Sequence, residues 1–561
     1  MKTTPSIEKV FTYARKIYTK KLENNKNLLE LTTYNNISMW WTTNAVFRVF
    51  LYKVINGGFH YKKYRKKFTI FYKTFGIYLS FIYDLLLKLL INLLLKLNKN
   101  KKNTENISNI KKIIAFNSNL QWRLIKDFKT NKMKKTDSFY DILFEELNKS
   151  YIIQSVNTFD LEPINGLKIF IDRIKNWQIP YKPLNLYWSI DIWKKRVQAF
   201  RYFSPIWKNL KNDKNLKEIC VINGMDLYPQ IKDELDFYFS FLYPHAVGYI
   251  EMGRRMIRKE KPNLIILQAE YEWKEKSFLV IAPKLENIPT LALEHGVIIP
   301  SHKGYIYTKG EISPIGDIQS PYNQIPDKTA VYGEYYKELL TKISAYPENS
   351  IVVTGQPSYD ALKSLDKIYS KKNFMEEYNI PNNYKLIIWF TQSHGLSQEE
   401  NIKNLNAVFN TMKYIKNTTL IIKQHPGEGK MYSKQIQEYL NKYKINARLV
   451  PKNSDTNELL FNSDVVISKY STTGIEAIAL NKPLIVLNLS GKPDLVDYVS
   501  EGVALGVYQI DDLQSTIETL LKDDSMLDKN RKKYVEKYLF KIDGKSTERV
   551  VNIVNSMVNA Y

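Results

Sequence analysis

A cation and an imidazole stand two positions apart in the segment Lys423-Gln424-His425-Pro426-Gly427-Glu428. Lys423 carries a fixed positive charge, and His425 can donate a hydrogen bond to an anionic oxygen. Together with the Pro426-Gly427 pair that follows them, these side chains suit the binding of a diphosphate group. The alternative is a solvated loop histidine that has no ligand.

A second candidate segment begins at Ser468 and has the sequence SKYSTTGIEA. Its small and hydroxyl-bearing residues are Ser471, Thr472, Thr473 and Gly474. A helix is predicted to begin here, so backbone N–H and side-chain O–H groups can receive phosphate oxygens. Glu476 lies one turn further on, where its carboxylate can accept hydrogen bonds from both hydroxyls of a ribose. Simple capping by Ser471 or Thr472, with Glu476 favoured by the helix dipole, is the alternative, and it is compatible with binding.

A third loop, 392–397, contains His394 and Gly395. Ser397 and Glu400 have the spacing of a capping box, which predicts a helix that starts at this loop. Gly395 lets the backbone approach a ligand closely, and the helix N-terminus favours an anion. We therefore expect a ligand-facing loop, with a capped turn and an exposed histidine as the alternative.

The first half of the chain offers candidates for a general base. Glu294-His295-Gly296 follows a predicted strand, and Glu270 follows the preceding one. His295 has an unperturbed pKa near neutrality and can accept a proton from a hydroxyl group. Glu294 could orient His295 or serve as the base instead, and Glu270 is a further candidate. The alternative for His295 is a structural histidine at the end of a strand.

The candidate site residues follow short apolar runs, which are the predicted strands. These runs form two series and alternate with amphipathic segments, which are the predicted helices. The first series of predicted strands is 113–116, 151–156, 219–222, 264–267, 290–293, 329–332 and 351–354. The second is 385–391, 418–423, 447–450, 465–468, 484–487 and 503–507, with a helix predicted after each, including one at 494–500. This rhythm is typical of βαβ units and parallel sheets, whose ligands bind beyond the carboxyl ends of the strands.

The segments KQHPGE and TNELLFNSDVVISKYSTTGIEAIALNKPLIVLNL resemble the donor domain of GT-B glycosyltransferases. The families most similar in pattern are surface-polysaccharide and capsule transferases, HP-motif sialyltransferases, CDP-glycerol glycerophosphotransferases and UDP-N-acetylglucosamine 2-epimerases. The resemblance covers 385–506 well and 263–360 loosely. It implies that His425 contacts the donor phosphates, that Ser471 to Thr473 hold them, and that Glu476 binds the ribose. It also implies a His-Gly at the acceptor side, similar to His295-Gly296, and a reaction that needs no metal.

The N-terminal part is strongly basic. Residues 1–112 contain 22 Lys and Arg and 5 Asp and Glu, a net charge of +17 out of +25 for the whole chain. Within 77–97, polar residues recur at every fourth position and form one stripe on an otherwise apolar helix. We expect this helix to lie on an anionic membrane surface, with docking of its apolar face on the protein or a membrane span as alternatives. No zinc-finger spacing or other nucleic-acid motif is present, so nucleic acid is not an expected partner.

These observations predict an α/β protein with two Rossmann-like domains facing a cleft (GT-B) and a basic helical N-terminal extension. The predicted regions are 1–112, membrane-associating; 113–370, acceptor domain; 371–540, donor domain; and 541–561, a helix that crosses back to the acceptor domain. With a single cysteine, Cys220, and no carboxylate pair at a strand end, we expect neither a disulfide nor a metal or cofactor.

The predicted activity is transfer of a sugar from a nucleotide-sugar donor to a surface-polysaccharide or lipid-linked glycan acceptor, without a metal. The expected location is the cytoplasm, at the inner face of the cell membrane. The alternatives are transfer from a CDP-alditol, epimerisation of a nucleotide sugar, and a non-catalytic membrane scaffold.

Overall fold

The computed structural model describes residues 7–56, 63–97, 110–127, 130, 132–159, 165–313, 321–393, 396–425 and 427–560. Within them, two six-stranded parallel sheets form the centres of two α/β domains. This arrangement confirms the prediction of two Rossmann-like domains. Both sheets have helices on their faces, which explains why the strands are apolar on both sides.

The sheet of the first domain contains most of the strands that the apolar runs predict. In spatial order its strands are Ile351–Val353, Lys328–Val331, Thr290–Leu293, Leu264–Leu267, Lys112–Phe116 and Ile152–Val156. The predicted strand 219–222 is wrong as a member of this sheet. Val221–Ile222 pairs only with Met225–Asp226 in a small antiparallel ribbon. Its turn is Asn223-Gly224, and both residues have positive φ, as a two-residue hairpin turn requires.

The sheet of the second domain follows the predicted strands closely. Its spatial order is Ala447–Val450, Thr418–Lys423, Lys385–Phe390, Val465–Ser468, Leu484–Leu487 and Leu505–Val507. The predicted helix 494–500 is wrong, because this segment forms bends and turns. Asn488 Nδ2 donates there to the Lys492 carbonyl (2.8 Å) and to Asp494 Oδ1 (2.7 Å), and such local bonds compete with a helix.

Helices connect the strands and cover both sheets. In the N-terminal part they are Ile7–Thr19, Leu28–Leu31, Trp40–Ile55, Lys63–Phe71 and Ile77–Leu97, with the π-helical turn Tyr72–Gly76. In the first domain they are Asp141–Leu147, Asn165–Asn176, Ile190–Leu210, Lys214–Ile219, Tyr228–Phe237, Tyr243–Glu260, Trp273–Glu275, Ala282–Leu285 and Glu334–Glu338, with π-helical turns Tyr238–Leu242, Lys276–Ile281 and Leu339–Ile343. From the connection onward they are Lys371–Glu377, Gln398–Thr411, Lys430–Tyr443, Thr456–Asn462, Thr472–Ala479, Asp512–Lys522, Asp528–Tyr534 and Ser546–Ala560, with the π-helical turn Val535–Leu539. Short 3₁₀ helices are Asn119–Gln121, Leu184–Tyr187, Glu348–Ser350, Pro357–Lys367 and Ser525–Leu527.

The N-terminal helices up to residue 55 are part of the core of the first domain. Tyr18 and Trp40 are fully buried in the same apolar cluster as the first-domain helices. Trp41 Nε1 donates to the Pro321 carbonyl (2.6 Å), which ties this region to a loop of the domain. The basic N-terminal part therefore has two portions: the helices up to residue 55, which belong to the core, and the helix 63–97.

The final helix, Ser546–Ala560, packs on the sheet of the first domain. Its Val550 and Val554 are fully buried against Ile113 and Leu264 of that sheet. At its start, the backbone N–H groups of Ser546 and Thr547 donate to the Asp360 carboxylate. The chain thus crosses from the second domain back to the first.

An antiparallel hairpin, Trp122–Lys126 paired with Met133–Asp137, follows the strand Lys112–Phe116. No apolar run predicted it, because polar residues interrupt the first strand and make up most of the second. The hairpin leaves the carboxyl edge of the first sheet and reaches toward the second domain, where Lys126 N–H donates to Asp455 Oδ2 (3.4 Å). It therefore forms a wall of the space between the domains.

Candidate active site in the interdomain cleft

A cavity of about 950 Å³ lies between the two domains, at the carboxyl ends of both sheets. Open α/β sheets bind their ligands at this edge. Residues that line it include Arg123 and His295 of the first domain and Lys423, Thr472, Thr473 and Glu476 of the second. The fold thus gathers cations, an imidazole, hydroxyls and a carboxylate around one space large enough for a nucleotide.

Glu476 lies in the helix Thr472–Ala479 and its side chain is partly buried beside the cavity. Burial raises the pKa of this carboxyl to about 7, while the charges of Arg123 and Lys423 act in the opposite direction. The two cations come from different domains, and both lie within electrostatic reach of one carboxylate. Glu476 is therefore at the point where the two halves of the site meet.

Lys423 is the last residue of the strand Thr418–Lys423 and is 6% exposed. Its Nζ donates to the Lys452 carbonyl (3.2 Å), and burial lowers its pKa to about 8. At neutral pH the Lys423 ammonium is therefore still protonated, and so positively charged, in most molecules. Because this charge is partly desolvated, it is well placed to attract an anion.

The loop after Lys423 is held by the buried carboxylate of Glu428. Glu428 accepts hydrogen bonds from Thr391 Oγ1 (2.7 Å), Ser393 N–H (2.5 Å) and Gln424 Nε2 (3.2 Å). These bonds join the loop 423–428 to the end of the neighbouring strand. Glu428 thus fixes two of the predicted ligand loops relative to each other.

His425 lies in this loop but outside the lining of the cavity. Its Nδ1 accepts a hydrogen bond from Gly427 N–H (3.0 Å), so in the neutral ring the proton is on Nε2. The ring is partly buried and can present Nε2 as a donor. The other predicted contacts of these two loops, His394, Gly395 and Pro426, lie outside the described residues.

The turn before the helix Thr472–Ala479 has the predicted cap. Ser471 Oγ accepts a hydrogen bond from Thr473 N–H (3.2 Å). Ser471 itself lies outside the cavity lining, whereas Thr472 and Thr473 lie within it. The Thr473 hydroxyl is buried and has no hydrogen-bond partner in the described part of the chain, which leaves it able to bond a ligand.

Gly474 has a packing role in this helix. A Cβ at this position would lie 2.6 Å from Cε2 of the buried Tyr498. Glycine therefore allows the helix to approach Tyr498, and Gly474 lies outside the cavity lining. Its predicted contact with the donor stays a prediction.

Gln392 fixes the same turn from the neighbouring strand. Its Oε1 accepts hydrogen bonds from the backbone N–H groups of Lys469 (3.0 Å) and Tyr470 (2.8 Å), and from Ser468 Oγ (3.3 Å). These three bonds, of which the one to Ser468 is buried and the other two are partly buried, hold the turn where the helix begins. Sequence reasoning placed Gln392 in a loop but assigned it no role.

His295 follows the strand Thr290–Leu293 and faces the cavity from the first domain. Burial lowers the pKa of its imidazole to about 4, so the ring is neutral at physiological pH. Its Nδ1 is buried without a hydrogen-bond partner among the described residues. A neutral ring with a free nitrogen can accept a proton from a hydroxyl group in the cavity.

The two carboxylates proposed beside His295 lie away from the cavity. Glu294 is buried and its Oε2 accepts a hydrogen bond from Tyr332 N–H (2.7 Å), while burial raises its pKa well above the usual value. Glu270 is also buried, accepts a hydrogen bond from Tyr305 OH (2.9 Å), and has a pKa raised by burial to about 7. Both hold loops at the sheet edge, and His295 is the candidate base that faces the cavity.

Arg123 is one of the cavity cations, together with Lys452, that the sequence did not point to. It lies on the first strand of the hairpin, and its side chain is exposed to the solvent of the cleft. The mixed run Trp122-Arg123-Leu124-Ile125-Lys126 is at most a weak strand signal, and its partner strand, which is mostly polar, has none. The meeting of Arg123 with Glu476, more than 350 positions away, had no sequence signal.

Within the described part of the chain, no three His, Cys, Asp or Glu side chains lie together as the ligands of a metal ion would. Cations that line the cavity include Arg123, Lys423 and Lys452, beside carboxylates such as Asp455 and Glu476. These cations can neutralise phosphate oxygens directly. The site is thus chemically suited to an anionic ligand.

Comparison with known families gives one family match. Residues 222–556 match the model described as CDP-Glycerol:Poly(glycerophosphate) glycerophosphotransferase. The match includes His295, Lys423 and Glu476, and begins after the hairpin with Arg123. No curated protein matches the chain.

Several solved structures resemble the chain at low identity. A UDP-GlcNAc 2-epimerase from Neisseria meningitidis, solved with UDP-GlcNAc, is 16% identical with a TM-score of 0.49, covering 80% of this chain and 100% of that one. The wall teichoic acid polymerase TagF is 12% identical with a TM-score of 0.45, covering 87% and 98%. A glycosyltransferase from Rickettsia africae is 13% identical with a TM-score of 0.44, covering 80% and 99%.

Proposed function

The chain belongs to the CDP-glycerol:poly(glycerophosphate) glycerophosphotransferase family, and we propose that it transfers an alditol phosphate, such as glycerol phosphate, from a cytidine diphosphate donor. The protein is thus a transferase enzyme. The acceptor in this proposal is a hydroxyl group of a surface polymer or of a lipid-linked glycan. The observation that carries the proposal is that His295 lines the same cavity as Lys423 and Glu476.

His295 is the general base in this proposal. The acceptor oxygen attacks the phosphorus next to the alditol, and its proton passes to the neutral imidazole of His295. The new bond joins the acceptor oxygen to this phosphorus, while the bond between the phosphorus and the bridging oxygen breaks. Cytidine monophosphate leaves with the bridging oxygen and its electron pair, so no redox partner is needed.

The cations of the cleft stabilise the charge that moves to the leaving phosphate. Lys423 and Arg123 approach from opposite domains and are the candidates for this contact. Since positioned charges in a water-poor site act strongly on a developing anion, they can replace a metal ion. We propose that the reaction is independent of metal and of any cofactor, and that activity persists in EDTA; dependence on added Mg²⁺ would contradict this.

Glu476 and the capped helix hold the nucleotide part of the donor. Glu476 in its ionised form accepts hydrogen bonds from the ribose hydroxyls, and the Thr473 hydroxyl bonds a phosphate oxygen. His425, with Nε2 as a donor, supports the phosphates from the adjacent loop. In this arrangement Gln392 and Glu428 are positioning residues that hold the turns which carry these groups.

A nucleotide sugar presents the same ribose and diphosphate groups, so the sugar transfer predicted from the sequence uses the same contacts. The two reactions differ in the bond that breaks and in the product. Transfer of an alditol phosphate releases a nucleoside monophosphate and adds phosphorus to the acceptor. Transfer from a nucleoside-diphosphate sugar releases the diphosphate and adds a glycosyl residue.

The test incubates the purified protein and a glycan acceptor with CDP-glycerol, CDP-ribitol or UDP-N-acetylglucosamine. We expect release of CMP and an acceptor mass that increases by one alditol phosphate. Release of UDP with a hexosamine increment would replace the proposal by sugar transfer, and interconversion of nucleotide sugars without an acceptor would replace it by epimerisation.

A pair of variants tests the base. His295→Asn keeps a polar side chain but removes the proton acceptor, and we expect CMP release to fall at least about 100-fold. His302→Asn is the matched control, because His302 is a nearby histidine of low pKa that lies outside the cavity lining. Equal rates for His295→Asn and the native protein, with circular dichroism unchanged, would show that His295 is not the base.

We also propose that the enzyme works in the cytoplasm, at the inner face of the cell membrane. The support is the basic N-terminal part, whose net charge of +17 suits anionic headgroups. Fractionation of cells that express the protein, with and without a high-salt wash, tests the location. Recovery of all the protein in the soluble fraction at low salt would contradict it.

A further inference from the structure

Exposed large apolar side chains are concentrated on one helical segment. Of the 25 such residues in the described part of the chain, 12 lie between residues 68 and 97. They are Phe68, Ile70, Phe71, Phe75, Tyr78, Leu79, Ile82, Tyr83, Leu86, Leu89, Leu93 and Leu97, each 42–75% exposed. We call this set the apolar face. Such a large continuous apolar surface on a protein marks an interaction site.

The polar stripe of the same helix faces the protein. Asp84 forms an ion pair with the buried Arg196 (2.8 Å), and Arg196 also donates to Ser80 Oγ (3.3 Å). Lys88 Nζ donates to the Trp188 carbonyl (2.7 Å). This orientation is the reverse of an ordinary surface helix, which buries its apolar side. The alternative predicted from the sequence, with solvated lysines and a buried apolar face, is wrong.

The polar contacts show that the helix is held in this orientation. Arg196 is only 3% exposed, so loss of Asp84 would leave a buried cation without its carboxylate. Leu87 and Ile91 add apolar contacts to Phe159 and Phe170 of the first domain. The apolar face is therefore presented outward by specific contacts on the opposite side.

By its length and composition alone, the helix Lys67–Leu97, with 31 residues, is long and apolar enough to cross a membrane. Its contacts with the protein body continue along its length, from Tyr72, whose ring lies 4.9 Å from that of Phe241, to Ile91. A helix that crossed the bilayer would carry this body into the lipid. These contacts are compatible with a helix that lies parallel to the membrane plane.

We propose that the apolar face inserts into one leaflet of an anionic lipid bilayer, with the helix axis parallel to the membrane plane. The run YKKYRKK at positions 61–67 of the sequence contains five basic residues, and such a run complements anionic headgroups. Ser80, Asp84 and Lys88 of the polar stripe stay bound to the protein, so the bilayer receives apolar side chains alone along the centre of the helix. This inference holds whichever group the enzyme transfers.

Flotation with vesicles tests the surface. The full-length protein is mixed with vesicles of phosphatidylcholine alone or with 30% phosphatidylglycerol and centrifuged through a density gradient. We expect flotation with the anionic vesicles and a loss of at least tenfold in bound protein for the variant Leu86→Glu, Leu89→Glu and Leu93→Glu. The matched control carries Ile343→Glu, Met431→Glu and Met526→Glu, which change equally exposed residues in other elements, and it should float like the native protein.

A second copy of the chain is the other occupant that could cover the apolar face. If the native protein does not float but forms a dimer in light scattering, and the three helix substitutions dissociate it, the apolar face is a protein interface and the proposal is overturned. Equal flotation of both triple variants and the native protein would also overturn it, since the apolar face would then contribute nothing. Circular dichroism and thermal unfolding in detergent show whether each variant is folded.

A depth measurement distinguishes insertion in one leaflet from a span and does not depend on the glutamate variants. The only native cysteine, Cys220, is fully buried, so a cysteine placed at Ile82, Leu86, Leu89 or Leu93 can be labelled selectively with an environment-sensitive dye. We expect a blue shift at all four positions on anionic vesicles and equal quenching by lipids brominated at one depth. A steady change of depth from 82 to 93 would indicate a span and overturn the proposal, and so would the absence of any blue shift.

Discussion

Replacing Glu476 by glutamine should stabilise the unliganded protein at alkaline pH although it weakens donor binding. Burial raises the pKa of Glu476 to about 7, against a usual value of 4.5, despite the nearby Arg123 and Lys423. The folded state therefore binds this proton more tightly than the unfolded state, so stability falls as pH rises through the interval between 4.5 and 7. Glutamine cannot ionise, and the variant avoids this loss.

The magnitude follows from the same shift. A difference of 2.5 between 7 and 4.5 corresponds to about 3 kcal/mol of unfolding free energy at pH 8. Because Glu476 is partly exposed to the cleft, solvent screening reduces the expected gain to roughly 1–3 kcal/mol. For a domain of this size, the gain raises the midpoint of thermal unfolding by about 2–12 °C, using roughly 2–4 °C per kcal/mol. Below pH 4.5 Glu476 is protonated in both the folded and the unfolded state, so the variant should no longer be more stable than the native protein.

The assay is thermal unfolding at pH 5 and pH 8, together with calorimetric titration of CMP at pH 8. We expect Glu476→Gln to be more stable than the native protein at pH 8, close to it at pH 5, and at least about tenfold weaker in CMP binding. Glu438→Gln is the control, since Glu438 is an exposed carboxylate of the same domain. A variant that is destabilised equally at both pH values would refute the reasoning, because Glu476 would then be a structural anchor. Unchanged CMP affinity would show that Glu476 does not contact the donor.

Three further substitutions test the chemistry of the cleft and the packing beneath it. His295→Ala should lower kcat/KM by about 100- to 10,000-fold at every pH from 6 to 8, measured as CMP release, and a residual rate within a factor of three would contradict the general-base role. Arg123→Ala should weaken CMP binding in calorimetry and raise the pKa of Glu476 further, because it removes a cation; unchanged binding would exclude Arg123 from the donor site. Gly474→Ala should destabilise the protein by about 1–3 kcal/mol in thermal unfolding, because its Cβ would lie 2.6 Å from a ring carbon of Tyr498. Gly429→Ala, which meets no atom within 4 Å, should leave stability unchanged, and equal effects of the two would show that the contact at Gly474 is not the cause.

The strands and the loops that follow them were accessible from the sequence. Buried parallel strands must be apolar on both faces, so runs such as Leu264–Leu267 and Val465–Ser468 were visible without tertiary information. Ligand-binding residues of such sheets follow the strands directly. This local relation brought Lys423, Glu476 and His295 into consideration, and all three line the cavity.

The functions of buried polar groups required the tertiary structure. Glu270 and Glu294 follow strands as His295 does, and their types alone did not show that they are buried behind the cavity. Gln392 and Glu428 likewise fix ligand loops through bonds to neighbouring strands. The order of strands within a sheet decides these partners, and that order is not encoded in the spacing of residues along one segment.

The sequence by itself determined two α/β units, the loops at their carboxyl edges and a helix with one polar stripe. Only the tertiary structure decided that Arg123 meets Glu476 across the cleft and that the stripe of the helix faces inward. The physical reason is the same in both cases. Periodicity shows which side chains share a face, but the partner of that face is set by residues that are distant in the chain. For this helix the partner is the buried Arg196, and its ion pair with Asp84 leaves the apolar face outside.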